Sequence, residues 1–381
     1  MIKITQKHDC CGCGACQQAC GKNCITMQPD DEGFFYPVVD EQRCVRCGAC
    51  QRVCPVLNKA EPSVSVPAAY GANCKDGAVR EVSSSGGVFS VLAQQVLERD
   101  GVVFGAAFAQ DLSVHHIMVQ RMEELPLLRG SKYVQSRIEQ TYDSAKNALK
   151  AGRMVLFTGV GCQIAGLKSY LGKEYENLYT VDVLCHGVPS EKVWKTYVQR
   201  QEQRHGAKLT GVSFRNKDMG WKRYCVELRF HDGQRYCRPN GEDPYMQWFA
   251  GNISLRPSCY QCRFKEIPRV SDLTIGDAWG VERHMAHMSD DRGTSVVLVN
   301  TPKGQRLWDW AAPLLKLEAG SVDALLPAGS DARRSVRPHP NRKRFFKAVQ
   351  NDPELDRLTA LSAKTGLQRL LSFAKKCLKG R

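Results

Sequence analysis

The sequence lacks any run of about 18 apolar residues, the length that a helix needs to cross a bilayer. It also lacks an apolar signal segment ahead of Cys10, its first cysteine. Disulfide frameworks are typical of small secreted domains, whereas this chain has 381 residues and clusters most of its 18 cysteines. We therefore predict a cytoplasmic protein whose cysteines bind metal.

Most of the excess positive charge lies at the C-terminal end of the chain. The net charge is +15, and residues 330–381 hold 14 Lys or Arg against 4 Asp or Glu. Because this charge lies outside the cysteine-rich part and no aromatic stacking motif accompanies it, we predict no nucleic-acid binding. The end of the chain places five residues on one helical face and predicts an amphipathic helix: Leu367, Leu370, Leu371, Ala374 and Leu378. We expect a solvated helix, with contact to an anionic membrane surface or an acidic partner as the alternative.

Two copies of one cysteine pattern occupy the N-terminal segment. The spacing CxxCxxCxxxC occurs at Cys10, Cys13, Cys16 and Cys20 and again at Cys44, Cys47, Cys50 and Cys54. This spacing is typical of two-cluster bacterial ferredoxins, in which the fourth cysteine of each run binds the other cluster. We predict one 4Fe-4S cluster on Cys10, Cys13, Cys16 and Cys54, and another on Cys44, Cys47, Cys50 and Cys20. Zinc is the alternative, but a repeated three-plus-one pattern fits it poorly.

The pattern has two irregularities. Gly21 stands where a proline usually follows the fourth cysteine, whereas Pro55 is present in the second copy. Cys11 and Cys24 are surplus to the two ligand sets. Small buried fillers are the favoured interpretation of the surplus cysteines, with spare ligands or redox-active thiols as the alternative.

Four regions are predicted along the chain. They are a two-cluster ferredoxin-like domain at 1–57, a Pro- and Ser-rich linker at 58–67, an oxidoreductase domain at 68–327 and a basic, partly helical tail at 328–381. Between 68 and 301, apolar runs such as VVFGAAF, MVLFTG and LYTVDVLC alternate with helical patterns, which predicts an α/β core. Antiparallel strands are expected at CVELRF and GQRYC. The predicted fold class is therefore mixed, α+β with α/β.

Several longer motifs carry a family resemblance. They are SSSGGVFSVL (83–92), RGSKYVQS (129–136), TGVGCQIAGLKSYL (158–171), LCHGVPS, FRNKDMGW, RPSCYQCRFK and SDLTIGDAWG. With the ferredoxin pattern, this order resembles the coenzyme F420 hydrogenase/dehydrogenase beta-subunit family, which includes plant 7-hydroxymethyl chlorophyll reductase. The resemblance covers roughly residues 5–300. It implies FAD and 4Fe-4S cofactors and electron transfer to or from a substrate or deazaflavin.

A Ser-Gly loop and three basic or polar positions are candidates for holding FAD. The loop Ser83, Ser84, Ser85, Gly86 and Gly87 precedes a helix, whose N-terminus attracts anions; an ordinary serine cap is the alternative. The resemblance favours the FAD pyrophosphate at this loop. It extends the candidate set to Lys132, Arg215, Asn216 and Lys217, although lone lysines are often solvated surface charges.

Four further cysteines lie in motifs that resemble the family: Cys162, Cys185, Cys259 and Cys262. Because strand ends can bring them together, we predict a third 4Fe-4S cluster beside the flavin. The competing interpretation is a reactive Cys162 thiolate at a helix N-terminus with a separate zinc or redox CxxC pair. Val160 and Gly161 replace the Thr-Pro that this family commonly places before the cysteine.

Proton transfer during substrate reduction needs a donor, and the candidates are His186 and Asp277. His186 could instead hydrogen-bond near the cluster, and Asp277 could be a helix cap or turn residue. Trp221 and Trp279 could flank a planar ring, although core packing is the commoner role of such residues.

The predicted function is an FAD- and 4Fe-4S-dependent oxidoreductase. A ferredoxin or a partner redox subunit would exchange electrons with its N-terminal clusters, and the substrate is not specified. The alternative is an electron-transfer subunit of a larger redox complex with no substrate site of its own.

Overall fold

The computed structural model describes residues 1–58, 67–351 and 354–363. Thirteen strands occur in these residues: β1 Ile25–Pro29, β2 Phe35–Val39, β3 Ala68–Cys74, β4 Val102–Phe108, β5 Val114–Val119, β6 Val155–Val160, β7 Leu178–Val183, β8 Leu209–Asn216, β9 Cys225–Phe230, β10 Arg235–Pro239, β11 Leu273–Asp277, β12 Ser295–Val299 and β13 Leu315–Gly320. The same residues contain twelve α-helices: α1 Ala15–Gln18, α2 Ala49–Arg52, α3 Gly77–Glu81, α4 Val88–Leu97, α5 Thr141–Lys150, α6 Gly161–Leu171, α7 Glu191–His205, α8 Pro244–Ala250, α9 Pro302–Ala311, α10 Val322–Leu325, α11 Arg342–Asn351 and α12 Leu355–Ser362. The predicted mixed class of helices with parallel and antiparallel strands is confirmed.

The N-terminal segment has an internal two-fold repeat. Its strands β1 and β2 pair antiparallel, and each cysteine run contains one short helix, α1 or α2. Gly14 and Gly48 precede these helices with φ values of 74° and 77°. An L side chain rarely adopts this left-handed conformation, so a glycine between the second and third cysteine suits both turns. The repeated spacing thus produces a repeated backbone.

An eight-stranded sheet forms the centre of the larger region, in the order β13-β3-β12-β11-β7-β6-β4-β5. The neighbouring pairs β4–β6, β6–β7 and β7–β11 are parallel, and the other pairs are antiparallel. Since β12 is antiparallel to both β3 and β11, strand β3 runs in the same direction as the four parallel strands. The loops after β3, β6, β7 and β11 therefore start at the same edge of the sheet, where α/β proteins commonly bind ligands.

Helices cover both faces of this sheet. Alternating strand residues point to opposite faces, so Val103 and Leu156 pack with α4 and α9. Phe104 and Phe157 pack with α5 and α6 on the other face, where their rings lie 5.4 Å apart. The continuous apolar runs in the sequence reflect this burial on two sides.

A second sheet, β10-β9-β8, belongs to a separate aromatic core. Trp194 and Tyr197 on α7 pack there against Tyr245 and Trp248 on α8. This core holds the strand β8 and the helix α8 against the edge of the large sheet, next to the loops at its ligand-binding edge.

The segment from residue 328 onward differs from the expected solvated tail. Phe345 and Phe346 on α11 and Leu355 and Leu358 on α12 are buried in the same aromatic core. Lys343, Arg344 and Lys347 are exposed on the outer side of α11, whose apolar side is part of the fold. The amphipathic helix predicted over 367–378 lies outside the described residues, as does nearly all of the 58–67 linker.

The ferredoxin-like segment packs directly on the larger region. Arg256 is fully buried and donates hydrogen bonds to the carbonyls of Cys10 (2.8 Å) and Phe35 (2.9 Å) and to the side chain of Gln135 (3.1 Å). Hydrogen bonds from a charged donor contribute about 1.5–3 kcal/mol each. At the other end of the contact, Arg342 forms a bidentate ion pair with Glu32 (2.7 and 2.6 Å).

No helix among the described residues is long and apolar enough to cross a membrane.

Candidate functional site: two cavities behind the ferredoxin-like segment

Five of the eight ferredoxin-type cysteines, from both predicted ligand sets, pack in one cluster: Cys16, Cys20, Cys44, Cys50 and Cys54. Burial, together with the nearby thiols of Cys10, Cys54 and Cys50, raises the pKa of Cys16 to about 12. Cys20 and Cys24 have their Sγ atoms 3.3 Å apart, and Cys44 lies beside Cys24. Cys16 and Cys54 of the first predicted set adjoin Cys50 of the second, and the division into two ligand sets stays a prediction. Buried, crowded thiols resist ionisation, and coordination to iron is what deprotonates them.

The four additional motif cysteines converge on a small cavity. Cys162 is the second residue of α6, directly after β6, and Cys185 follows the end of β7. Cys259 and Cys262 come from a 3-10 turn, Pro257–Gln261. All four line the cavity, and so does Cys11 from the ferredoxin-like segment. The tertiary fold therefore brings together the four cysteines that the sequence predicts as one ligand set.

Two basic side chains and a backbone hydrogen-bond donor lie at this small cavity. The backbone N–H of Val188 donates to Cys259 Sγ at 3.4 Å. Lys265 and Arg269 line the cavity as well. Such donors and cations stabilise thiolate and anionic sulfur, and they tune the reduction potential of an iron-sulfur cluster.

A fully buried ion pair fixes one of these cations. Arg269 donates through Nε (2.9 Å) and Nη2 (2.6 Å) to Asp182 Oδ2, and the two side chains are 2% and 0% exposed. Ser271 and Thr274 donate to the other carboxylate oxygen at 2.6 and 2.5 Å. Because every one of these partners is buried, Arg269 has little freedom to move away from the cysteines.

The donor set at the small cavity consists of cysteine thiols. A tetrahedral zinc site needs four sulfur atoms at about 2.3 Å from one point. A 4Fe-4S cube holds its four thiolates further apart, around its corners. The donor set of four thiols around a common cavity fits the cluster.

A much larger cavity of about 680 Å³ opens at the same edge of the sheet. Its volume lies within the usual range for cofactor and ligand sites, about 300–1,000 Å³. The Ser-Gly loop forms one end, with Ser84, Ser85 and Gly87 among the lining residues. Gly87 begins α4 at φ 86°, and no side chain caps the helix. The first N–H groups of α4 are thus available to an anionic ligand at this end.

Two loops meet at this end of the cavity. The hydroxyl of Ser84 accepts a hydrogen bond from the backbone N–H of Ser131 at 2.7 Å, which joins the Ser-Gly loop to the segment 129–136. Gly86 lies against the sheet, where its N–H donates to Ser295 Oγ at 3.0 Å. Lys132 lines the cavity and donates to the carbonyls of Leu127 and Arg129. Burial lowers the pKa of Lys132 to about 7.

Arg215 and Asp277 form an ion pair in the wall of the large cavity. Arg215 Nη1 lies 2.6 Å from Asp277 Oδ2 and 3.2 Å from the hydroxyl of Tyr133. The Arg215 side chain is 3% exposed, and its Nε has no hydrogen-bond partner among the described residues. Both carboxylate oxygens of Asp277 face the Arg215 guanidinium, Oδ2 at 2.6 Å and Oδ1 at 3.3 Å. This geometry suits holding Arg215 in place.

The two tryptophans of interest stack on each other. Trp221 and Trp279 have ring centroids 4.3 Å apart and an interplanar angle of 9°. Trp221 is buried, whereas Trp279 is 49% exposed and lines the cavity. They do not flank an open slot, but Trp279 offers one aromatic surface to a ligand.

Asn216 and Lys217 do not line the large cavity. Asn216 donates to Glu227 at 3.0 Å on the second sheet. Lys217 donates to the carbonyls of Arg80 (2.7 Å), Ser85 (3.3 Å) and Arg292 (2.8 Å). Lys217 therefore holds the Ser-Gly loop from behind, and neither residue reaches the cavity directly.

His186 lines the large cavity next to Cys185. Its Nε2 lies 2.6 Å from Asn252 Oδ1, and its Nδ1 lies 3.4 Å from Asp331 Oδ2. A hydrogen bond from His186 lowers the pKa of Asp331. The imidazole is thus positioned from both nitrogens, and it remains the candidate for proton transfer.

His116, at the base of the large cavity, was not singled out from the sequence. Its Nε2 lies 2.9 Å from the carbonyl of Thr158, which makes Nε2 the donor, so Nδ1 accepts from Ser136 Oγ at 2.7 Å. Burial lowers the pKa of His116 to about 4, and the ring is neutral at physiological pH. In the sequence it belongs to the strand VHHIMV, where nothing distinguishes it from a core residue.

The small and the large cavity share a wall. Cys185, Val160, Gly187 and Val188 line both of them. Cys11, whose thiol lies beside those of Cys13 and Cys162, also lines the small cavity. The order in space is therefore ferredoxin-type cysteines, the four-cysteine cavity and then the large cavity.

Paired cysteine sets in an α/β redox fold define an iron-sulfur oxidoreductase subunit, and sequence comparison supports this class. Residues 9–58 match the family described as 4Fe-4S dicluster domain. Residues 152–324 match the family described as the C terminus of the coenzyme F420 hydrogenase/dehydrogenase beta subunit. This match agrees with the family that the motifs predicted.

The comparison of structures includes a chain of the F420-reducing [NiFe] hydrogenase complex from Methanosarcina barkeri. It has 16% identity and a TM-score of 0.47, over 77% of this chain and 93% of the other. No curated protein sequence matches the chain. The family matches support an iron-sulfur electron-transfer domain within a redox-enzyme subunit.

Proposed function

We propose that this chain is an iron-sulfur flavoprotein that moves electrons between ferredoxin-type clusters and FAD in order to reduce or oxidise an organic substrate or a deazaflavin. The wall that the four-cysteine cavity shares with the large cavity carries this proposal. A third cluster on Cys162, Cys185, Cys259 and Cys262 would stand between the N-terminal clusters and a cofactor in the large cavity. FAD supplies the exchange between single electrons and a hydride.

The fit of FAD rests on the ends and walls of the large cavity. The uncapped N-terminus of α4 and the loop at Ser84 and Ser85 suit the pyrophosphate. Arg215 has an unpartnered buried Nε and lies with its guanidinium 4.0 Å from the ring centroid of Tyr224, which orients it. A buried donor without a partner normally finds one in a ligand or water. These residues bind and orient the cofactor in the proposal.

Proton handling falls to His186 in this proposal. Asn252 and Asp331 hold the imidazole at the wall next to Cys185. Asp277, which was the other candidate, is engaged by Arg215. The neutral His116 donates to a backbone carbonyl and serves to keep the base of the cavity in position.

The direct test is the cofactor content of the protein purified and reconstituted without oxygen. We expect one flavin and about twelve irons per chain, which is four for each of three cubes. About eight irons with bound flavin would contradict the third cluster. A protein without flavin would contradict the flavoenzyme. A flavoprotein that transfers electrons to a partner but never to a small organic acceptor would support the subunit alternative.

Flavin binding should weaken as the pH rises above about 7. In the flavin-free protein, burial holds the pKa of Lys132 at about 7, so most of this lysine is neutral at pH 8. A phosphate or an anionic flavin favours the protonated amine, so binding takes up a proton. Affinity should therefore be constant below pH 7 and fall above it, by up to about tenfold per pH unit for one linked proton.

The stability of the folded, flavin-free protein depends on pH in the opposite direction. An unfolded lysine titrates near 10.4, so between pH 7 and that value the unfolded chain binds more protons and the flavin-free protein gains stability as the pH rises. Titrating FAD into flavin-free Lys132→Met should show weaker binding at pH 6.5 and a flat pH profile. The exposed residue Lys150 provides the control Lys150→Met. If the affinity of Lys132→Met for FAD still fell above pH 7, Lys132 would not be the group that takes up the proton.

A further inference from the structure

The two ferredoxin-type ligand sets differ in their access to solvent. Cys47 is exposed, and it belongs with Cys44, Cys50 and Cys20 in the second predicted set. Cys13, from the first set, is buried against Gly166 on α6, where an added Cβ would lie 3.1 Å from its Sγ. Cys50 of the second set is as buried as Cys13, so Cys47 forms the exposed edge of this set, whereas Cys13 lies on the side that packs on α6.

Basic side chains surround the exposed set. Arg46 precedes Cys47, and Arg52 Nη1 donates to the carbonyl of Cys47 at 2.9 Å. Arg43 precedes Cys44 and donates to the carbonyl of Lys22 at 3.2 Å, which places Lys22 in the same patch. All four of these side chains are exposed. We call them the basic rim.

The positive charge of the basic rim is not neutralised by ion pairs. Within 1–58, 67–351 and 354–363, no salt bridge involves any of its four members, although Asp40 and Glu41 lie nearby in sequence. Residues 1–58 contain six acidic and six basic residues, and Asp40 and Glu41 are exposed beside the rim in sequence, so its four cations outnumber these carboxylates by two. Asp30 and Glu32, at the β1–β2 turn, pair with Lys7 and Arg342.

Two exposed apolar residues complete the surface. Val45 is 60% exposed between Cys44 and Arg46, and Leu57 is 58% exposed after the last cysteine of the module. Protein interfaces combine apolar contacts with a charged rim, and complementary charge accelerates encounter. A surface that admits electrons and carries positive charge suits a negatively charged donor.

We propose that the basic rim around Cys47 is the docking surface for an acidic, small one-electron carrier protein. The carrier loses one electron and the cluster of the second set gains it, with no bond or proton transferred. The electron then moves inward to the first cluster. The basic rim adds to the proposed function the site where electrons enter and the charge of the carrier protein. The inward direction of electron flow rests on the proposed function.

The test is the rate at which a strongly acidic reduced carrier, such as a flavodoxin, bleaches the cluster absorbance in stopped flow. The variant Lys22→Glu/Arg46→Glu reverses two charges and leaves the hydrogen bonds donated by Arg43 and Arg52 in place. We expect the wild-type rate to fall with rising salt, and the variant rate to be at least about tenfold lower at low salt. The two rates should converge at high salt.

The matched control is Arg229→Glu/Lys316→Glu, which reverses two exposed charges on the larger region. This control should react with the carrier at the wild-type rate at every salt concentration. Reduced methyl viologen is a small cation, and it should reduce the clusters of all three proteins without any loss of rate. An equal slowing in both variants, or no slowing in either, would overturn the proposal.

The other possible occupants of the rim give different results. If Lys22→Glu/Arg46→Glu loses self-association or binding to phosphatidylserine vesicles while it accepts electrons at the wild-type rate, the surface serves a second copy or a membrane and the proposal is wrong. Cluster bleaching does not involve flavin. A protein without FAD would therefore contradict the proposed function and leave this test intact.

Discussion

Replacing Cys185 by alanine should remove one complete cluster and interrupt electron transfer from the N-terminal clusters to the flavin in the large cavity. We expect the iron content to fall by about four per chain, which is one cube. The N-terminal clusters should still be reduced at the wild-type rate, because their predicted ligands are untouched. Reduction of bound flavin through them should fall to the background seen with flavin alone, since Cys185 lies in the wall between the two cavities.

The measurements are iron per chain, low-temperature spin resonance of the reduced protein and stopped-flow absorbance of clusters and flavin. Cys237→Ala is the matched control, because Cys237 lies on β10 and lines neither cavity. It should retain the full iron content and flavin reduction. Wild-type iron content in Cys185→Ala would show that this cysteine is not a ligand.

Replacing Gly86 by alanine should release the flavin without affecting the clusters. An added Cβ would overlap the carbonyl oxygen of Ala72 and lie 2.8 Å from the backbone nitrogen of Ser295. Both atoms belong to central strands and cannot yield, so the loop and the start of α4 must shift. Overpacking of this kind costs roughly 1–3 kcal/mol. If that cost falls on the bound conformation, FAD affinity drops by about tenfold to hundredfold.

Gly77→Ala is the control for this substitution. Gly77 begins α3 nine positions earlier, and its added Cβ would meet only the end of the Arg292 side chain at 3.5 Å. Equilibrium dialysis of FAD should give wild-type affinity for this variant and a weakened affinity for Gly86→Ala. Iron content should be unchanged in both. If Gly86→Ala binds FAD with wild-type affinity, the Ser-Gly loop is not part of the FAD site.

The local elements of the fold could be predicted from the sequence to different degrees. Strands such as β4, β6 and β7 and helices such as α6 and α7 lie where the apolar patterns placed them. The antiparallel strands β12 and β13 were not anticipated, because an apolar run alone does not specify its partner or direction. The packing of α11 was missed since its composition is dominated by Lys and Arg, while Phe345 and Phe346 insert into a core built by α7 and α8.

The residues of the candidate site could be predicted from the sequence, but their contacts could not. Lys132, Arg215, His186 and Asp277 were selected from motifs, and all of them line the large cavity. Their roles depend on contacts that the motifs do not contain. The pair of Arg215 with Asp277 spans 62 residues, and the environment of His186 includes Asp331, 145 positions away, in what was expected to be a tail.

The sequence by itself predicted the ferredoxin-type ligand sets and the family resemblance. Within each set three of the four ligands lie close together in one run, so their spacing alone is informative. Only the tertiary structure brought Cys162, Cys185, Cys259 and Cys262 around one cavity and placed that cavity beside the large one. These cysteines follow strands β6 and β7 or lie in a distant turn, and they meet because parallel strands end at the same edge of a sheet. The orientation of the basic rim toward solvent was likewise decided by which face of the ferredoxin-like segment packs on α6.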